Sequence, residues 1–408
     1  MRSKAIIAVA IGALAISGCG SKGDAGTSAE DSGTLTLGAS MSLTGSLARE
    51  GALTKEGYDV CAKVVNDKGG VPVGGKKVKL QIQYQDDTSK PDTAAQLVDQ
   101  FNDKGVKLIL GPYGSATTEA AAAVIERNGQ VMADSAGADD KIFQKGYKRT
   151  FAVLSPANQY ASVMLEAIAD LAKPKPTTVA FASADDGFSK TVTKAGIAKA
   201  QSLGFQVVGE EYVPNGTSDV SSALTKIKGQ NPQVIVGSVH LAEGVAIVKQ
   251  AKELGITPQI FAETVAPPTP DFAKTLTTSA DGVLGSTQWT SKTSGSDKWF
   301  GSAQDYAATF AKQFNNRAPE YHGAEATAAC LAFVLAVEKA GSTDPNKVRD
   351  ALAGLDEQTF FGPLKFNDQG QNVTKKMAVI QIQGGKPVAV WPTDSSQGAM
   401  QFPGTGKA

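Results

Sequence analysis

Histidine and cysteine are nearly missing from this chain: two histidines (His240, His322) and three cysteines occur in 408 residues. A structural zinc site takes four Cys or His ligands, and these counts leave almost no way to assemble one, so no metal or other cofactor is expected. No Gly-x-Ser-x-Gly elbow surrounds any plausible serine, and neither histidine has a recognisable catalytic context. A hydrolase built on Ser115 with His240 or His322 and an aspartate is therefore disfavoured. Charge of one sign is not in excess either, since 40 Lys and Arg balance 40 Asp and Glu. That balance removes any electrostatic reason to expect nucleic acid or an anionic membrane surface as a partner. Aromatics are sparse at 7%.

Long hydrophobic runs are also lacking. The stretch from Ala5 to Ile16 follows the basic start Met1-Arg2-Ser3-Lys4 but stays well below the ~18 residues of a spanning helix. It ends in Ile16-Ser17-Gly18-Cys19, a pattern that resembles the bacterial lipobox, in which the cysteine is acylated and becomes the mature N-terminus. The reading is a signal peptide over 1–18 and lipidation at Cys19. Residues 20–33 (GSKGDAGTSAEDSG) hold no large apolar side chain and form a flexible leash. The remaining body of about 375 residues is long enough for two lobes, held outside the cytoplasm at the membrane by its lipid alone.

Short β-branched runs alternate with amphipathic segments along that body. Strands are expected at Leu35 to Gly38, Lys79 to Tyr84, Leu108 to Gly111 and Gln130 to Ala133. Between them, Gly57, Val60, Cys61, Val64 and Val65 share one helical face, as do Leu97, Val98 and Phe101. After a pause at Ser135 to Asp140 and a hinge candidate at Arg149 to Val153, the alternation restarts. Its strands are at Thr178 to Phe181, Phe205 to Val208, Val234 to Gly237 and Gln259 to Phe261, with helices at Ser189 to Leu203 and Leu241 to Leu254. Helices follow at Trp299 to Phe314, Thr327 to Lys339 and Pro345 to Leu352, then two antiparallel runs at Met377 to Gln383 and Pro387 to Trp391. The pattern is that of an α/β protein with two doubly wound parallel-sheet lobes joined by a multi-strand hinge. The expected division is 34–150 plus 285–358 for lobe 1, 151–284 plus 359–395 for lobe 2, and a tail over 396–408. Cys61 and Cys330 both fall on apolar helix faces of lobe 1. An exported compartment permits a disulfide between them, while two separate core thiols is the slightly favoured alternative.

Six segments, in this order, carry a family resemblance: Leu37 to Gly45 (LGASMSLTG), Val65 to Val71 (VNDKGGV), Tyr84 to Thr88 (YQDDT), Leu110 to Ser115 (LGPYGS), Phe361 to Leu364 (FGPL) and Phe366 to Gly370 (FNDQG). Together they resemble the substrate-binding proteins of ATP-driven importers of branched-chain amino acids, the Leu/Ile/Val-binding type. That resemblance implies a periplasmic-binding-protein type I fold with three crossings, a non-enzymatic monomer, an amino-acid ligand and the permease subunits of an ABC importer as partner. A short amide or urea derivative is the alternative ligand, and sensing rather than transport the alternative use.

In α/β sheets ligands sit beyond the strand ends where helices begin. The turn Tyr113-Gly114-Ser115 is such a place, offering helix N–H groups and a hydroxyl to a carboxylate. The resemblance puts the family's ligand serine at Ser115 and a backbone carbonyl for the ammonium at Ala136. Its threonine falls at Ala138, where Ser135 or a water would have to replace the missing hydroxyl. It also implies Glu263 as the ammonium's carboxylate, Phe188 as an aromatic against the ligand, Val239 and His240 near another pocket position, and Arg49 and Glu50 in the loop facing the ligand side chain.

Overall fold

The computed structural model describes residues 33–404; the signal-peptide and lipidation readings, including Cys19, lie outside the described residues. The first sheet contains β1 (Thr34–Met41), β2 (Val71–Val73), β3 (Lys76–Asp86), β4 (Leu108–Leu110), β5 (Val131–Asp134) and β6 (Thr150–Ala152), in the spatial order β2-β3-β1-β4-β5-β6. All neighbours are parallel except the β2–β3 hairpin. Every residue of β4 and β5 is buried, as expected for parallel strands covered on both faces. Helices α1 (Ala48–Asp67), α2 (Pro91–Asp103), α3 (Ser115–Asn128) and the short α4 (Asp140–Phe143) make the connections.

The second sheet repeats the design. It is built from β7 (Thr178–Ala184), β8 (Gln206–Val213), β9 (Val234–Ser238), β10 (Ile260–Glu263) and β11 (Leu284–Thr287), wound with α5 (Tyr160–Leu171), α6 (Gly187–Ser202), α7 (Ser221–Gln230), α8 (Leu241–Glu253) and α9 (Pro270–Leu276). Two small ribbons follow, β12 (Ser296–Asp297) with β13 (Gly301–Ser302), and β14 (Asp356–Thr359) with β15 (Gly362–Lys365). Between the ribbons lie α10 (Ala303–Gln313), α11 (Tyr321–Ala340) and α12 (Pro345–Ala353). The antiparallel pair β16 (Ala378–Gln383) and β17 (Lys386–Trp391) then completes the second sheet as β17-β16-β11-β10-β9-β7-β8.

The β2–β3 and β16–β17 hairpins turn on Gly-Gly. Gly74-Gly75 and Gly384-Gly385 all have positive φ, which two-residue hairpin loops of the type I′ class require at both central positions.

Helix α11 returns to the first lobe and packs on α1. It starts at Tyr321, six residues earlier than the apolar run suggested, and is buried without interruption from Tyr321 to Val334. The two helices cross closely: a Cβ on Gly57 would stand 2.1 Å from the Gly323 carbonyl oxygen, and the Thr327 hydroxyl donates to the Gly57 carbonyl at 2.8 Å. At this crossing Cys61 and Cys330 form a disulfide, with Cα atoms 6.2 Å apart. The favoured reading of separate thiols is corrected: adjacency of the two helices, which the apolar faces alone did not reveal, brings the sulfurs together. The expected helix from Trp299 is shorter than predicted. Ser302 caps α10 in a reciprocal box with Asp305, so the helix cannot extend further toward the N-terminus.

Three strands of chain pass between the sheets. The first follows β6 at Val153 to Ser155, one step beyond the expected hinge segment; the second follows β11 at Gln288; the third covers Asn372 to Lys375 before β16. Residues 285–287, assigned above to lobe 1, belong to β11 of the second sheet. The crossings are laced together. Gln288 Oε1 accepts from Ser155 N at 3.0 Å and its Nε2 donates to the Ser155 carbonyl at 3.3 Å. The Ser155 hydroxyl donates to the Lys375 carbonyl at 2.9 Å, and buried Lys375 Nζ donates to the Gln288 carbonyl at 2.5 Å. The described part of the 396–408 tail folds back on the second sheet, where Gly404 N donates to the Gln259 carbonyl at 2.9 Å.

Candidate binding cleft

A narrow cavity lies between the carboxyl ends of the two sheets. From the first lobe come Tyr113, Gly114 and Ser115 at the β4–α3 turn, Ala136 beyond β5, and Tyr321 and Glu325 from the first turns of α11. The second lobe contributes Tyr160 at the start of α5, Phe188 at the start of α6, His240 just before α8, and Val265 beyond β10. Most of these side chains stand at helix N-termini, the positions a doubly wound sheet offers to a ligand.

Gly114 makes the first of these positions possible. Its φ of +95° swings the chain out of β4 into α3, a conformation that disfavours any side chain, and no side chain caps the helix. The first N–H groups of α3 therefore lack an intrahelical acceptor and carry the positive end of the helix dipole. The Ser115 oxygen accepts from Asp139 N at 3.1 Å, which leaves its own proton to donate.

Opposite stands His240, with Nε2 3.4 Å from Asp186 Oδ2 and with Nδ1 buried and unpartnered among the described residues. Burial alone would lower its pKa. The Asp186 hydrogen bond and charge, aided by Glu243 and Glu50, outweigh that and raise it to about 9. Burial likewise pushes the Asp186 carboxyl upward, but His240 and the Ser189 N–H and hydroxyl that donate to it as the N-cap of α6 hold it net below the usual range. Because His240 is raised above its ordinary 6.5, the stability from this pair is complete below about pH 6.5 and is lost as pH rises through about 9. Asp186→Asn removes that contribution. Wild type is expected to exceed the variant by up to about 3 kcal/mol at pH 6, and the two to converge by about pH 10, in denaturant unfolding across that range. A constant difference across the range would contradict the pairing.

The aromatic side chains form a chain of rings around the cavity. Tyr160 meets Phe188 edge to face at 5.2 Å, Phe188 lies 5.7 Å from His240, and His240 lies 6.3 Å from Tyr113. Tyr321 stacks on His322 at 4.1 Å, and His322 Nδ1 pairs with Glu320 Oε2 at 2.5 Å. The Tyr321 hydroxyl and Glu325 Oε2 have no hydrogen-bond partner among the described residues. Burial pushes the Glu325 carboxyl well above the usual range, with the charges of Glu320 and Asp134 adding to it.

Six of the twelve residues singled out from the sequence therefore meet at the cavity: Tyr113, Gly114, Ser115, Ala136, Phe188 and His240. The others are placed elsewhere. The Ser135 hydroxyl is engaged with Tyr58 OH at 2.8 Å. The Ala138 carbonyl accepts from Ala157 N at 2.8 Å, and Val239 is tied through both backbone groups to Thr264. Glu263 turns inward beneath α8: a Cβ on Gly237 or Gly244 would collide with it at 2.9 and 2.6 Å, so these two glycines vacate the space it fills. Both its carboxylate oxygens are unpartnered among the described residues, and burial, with Glu243 nearby, pushes its pKa well up.

Glu50 and Arg49 span the lobes rather than face the cavity. Glu50 Oε1 accepts from Leu241 N at 3.0 Å, capping α8 from the opposite lobe, and Arg49 pairs with Asp271 of α9. Thr191 of α6 likewise donates to Asp139 Oδ1 at 2.8 Å. The lobes are closed on each other. The sequence reading missed Tyr160, Val265, Tyr321 and Glu325. Glu325 carried a usable signal, being an acidic residue between alanines just before a long apolar run.

Two similar lobes, laced crossings and a shared cavity at the strand ends are the frame of a two-lobed solute-binding protein. The chain belongs to the periplasmic binding protein family, whose sequence profile matches residues 34–386, and it has that family's type I fold and solute-binding, non-enzymatic character. Among curated relatives, "Leu/Ile/Val-binding protein homolog 7" of Brucella suis is 23% identical, the match covering 91% of this chain and 95% of the relative. A leucine-binding protein of Thermotoga maritima superimposes with a TM-score of 0.78 at 20% identity, over 88% of this chain and 99% of its own. A solute-binding protein of an ABC transporter from Rhodopseudomonas palustris, solved with 3,4-dihydroxybenzoic acid, superimposes with 0.74 at 18% identity, over 86% and 94%.

Proposed function

We propose that the protein is the lipid-anchored, extracytoplasmic receptor of an ABC importer, monomeric, and that it captures a small carboxylate-bearing metabolite by hinge closure. The observation that carries this reading is the placement, in one cavity, of the uncapped N-terminus of α3 with Ser115 on one lobe and His240 on the other. A ligand carboxylate bridging them favours the closed form by binding both lobes at once, and permease subunits would read that closed form. The names of the relatives point to an amino acid of the branched-chain type. One observation favours a second reading, a carboxylate that is not an α-amino acid: Glu263 is buried under α8 and Val265 occupies the cavity wall.

Small-angle scattering and thermal unfolding of the purified full-length chain test the receptor reading. The matching metabolite is expected to decrease the radius of gyration and, at a hundredfold excess over its Kd, to stabilise by about 2.7 kcal/mol. A chain whose scattering and unfolding ignore amino acids, other small carboxylates and a deproteinised metabolite extract alike would end the proposal.

A further inference from the structure

The geometry points to a ligand that is a monocarboxylate with a planar aromatic body, a ring hydroxyl and no ammonium group, a refinement that rests on the receptor reading above. An α-amino acid brings three ammonium protons that need acceptors and a counter-charge when water is excluded. The cavity is poorly furnished for them. Glu263 is turned away beneath α8, Val265 stands at the wall, and Ala138 brings no hydroxyl. The carboxyl that does line the cavity, Glu325, is 1% exposed, and burial pushes its pKa well above the usual range, with Lys375 only partly opposing. An ammonium would have to ionise it against that burial and against its neighbours Glu320 and Asp134.

Provision for an anion is better and comes from both lobes. The α3 N–H groups and the Ser115 hydroxyl proton are available on one side, and unpartnered Nδ1 of His240 on the other. Asp186 on Nε2 keeps the ring protonated, so Nδ1 donates. The same imidazolium argues against a quaternary ammonium, which an aromatic enclosure would otherwise suit.

The walls favour a ring over a branched aliphatic chain. Tyr160, Phe188 and Tyr113 present edges and faces around the cavity, while the branched aliphatic contribution is Val265 alone. Aromatic pairs at such spacings gain stability beyond their burial. At the first-lobe wall, the Tyr321 hydroxyl and Glu325 Oε2 are both buried and unpartnered, and a ring hydroxyl, donor and acceptor at once, would satisfy them.

Calorimetric titration of the full-length chain with matched probes tests this. 4-Hydroxybenzoate and 3,4-dihydroxybenzoate are expected to bind saturably and at least tenfold more tightly than L-leucine or glycine betaine, and 3-phenylpropionate more tightly than L-phenylalanine, which differs from it by the ammonium alone. His240→Gln should weaken 4-hydroxybenzoate at least tenfold. Tyr321→Phe, a change that removes only an unpartnered hydroxyl, should erase the preference for 4-hydroxybenzoate over benzoate. Tighter binding of L-leucine or L-phenylalanine than of the deaminated probes overturns the inference while upholding the receptor reading. Absence of saturable binding by any aromatic carboxylate also overturns it, and the receptor reading then stands or falls by the scattering experiment.

Discussion

Replacing Cys61 and Cys330 together by alanine, or unfolding the protein under reductant, is expected to lower its stability by about 2–5 kcal/mol. The bridge closes a loop of 269 residues, far longer than those on which the upper part of that range rests. In the chain-entropy account its main effect is to restrict the unfolded chain, so the loss should show in equilibrium unfolding with little change in the native fold. The packing around it sharpens the expectation. Both sulfurs are fully buried where α1 and α11 cross most closely, so alanine adds the loss of buried contacts to the loss of the link. A functional effect should follow as well. Tyr321 and Glu325 sit on the same helix as Cys330, and any loosening of α11 against α1 displaces a cavity wall. Differential scanning calorimetry with and without reductant checks the first effect and ligand titration the second. An unchanged melting curve for the double variant would contradict this account of the crossing.

Gln288→Leu should be nearly as damaging, at about 3–5 kcal/mol, although it preserves side-chain volume to a first approximation. The amide is 1% exposed and makes three bonds, two to the backbone of Ser155 in another crossing and one, at 2.9 Å, to the Tyr160 hydroxyl. Leucine leaves a buried N–H, a carbonyl and a phenol without that partner, and each such orphan costs about 1–3 kcal/mol. Tyr160 is a wall of the cavity, so the variant should bind its ligand more weakly even at temperatures where it remains folded. Retained affinity with lowered stability would confine Gln288 to the hinge.

The two-lobed design was open to reading from the sequence because parallel strands buried on both faces leave continuous apolar runs. Leu108–Leu110 and Val234–Ser238 are such runs, with helical periodicity between them. Half the site was readable for a related reason: Tyr113, Ser115, Phe188 and His240 all lie where a strand ends and a helix begins. What stayed hidden depends on contacts distant in sequence. The destination of Glu263 is set by two glycines on neighbouring elements, and that of Glu50 by the opposite lobe. The pairing of Cys61 with Cys330 required knowing which helix α11 packs upon. Tyr321 was missed because the helix begins earlier than its apolar stretch, in the polar sequence around His322.

Glu50 capping α8 across the seam, beside the Arg49–Asp271 pair, means that the two lobes hold each other through their own side chains. The ion pair, about a third exposed on each side, contributes about 0–1 kcal/mol and the cap about as much again. Contacts of that size shift the balance between open and shut lobes by up to some tenfold toward shut. On the importer reading proposed above, a molecule shut without its ligand would compete with a loaded one for the same permease.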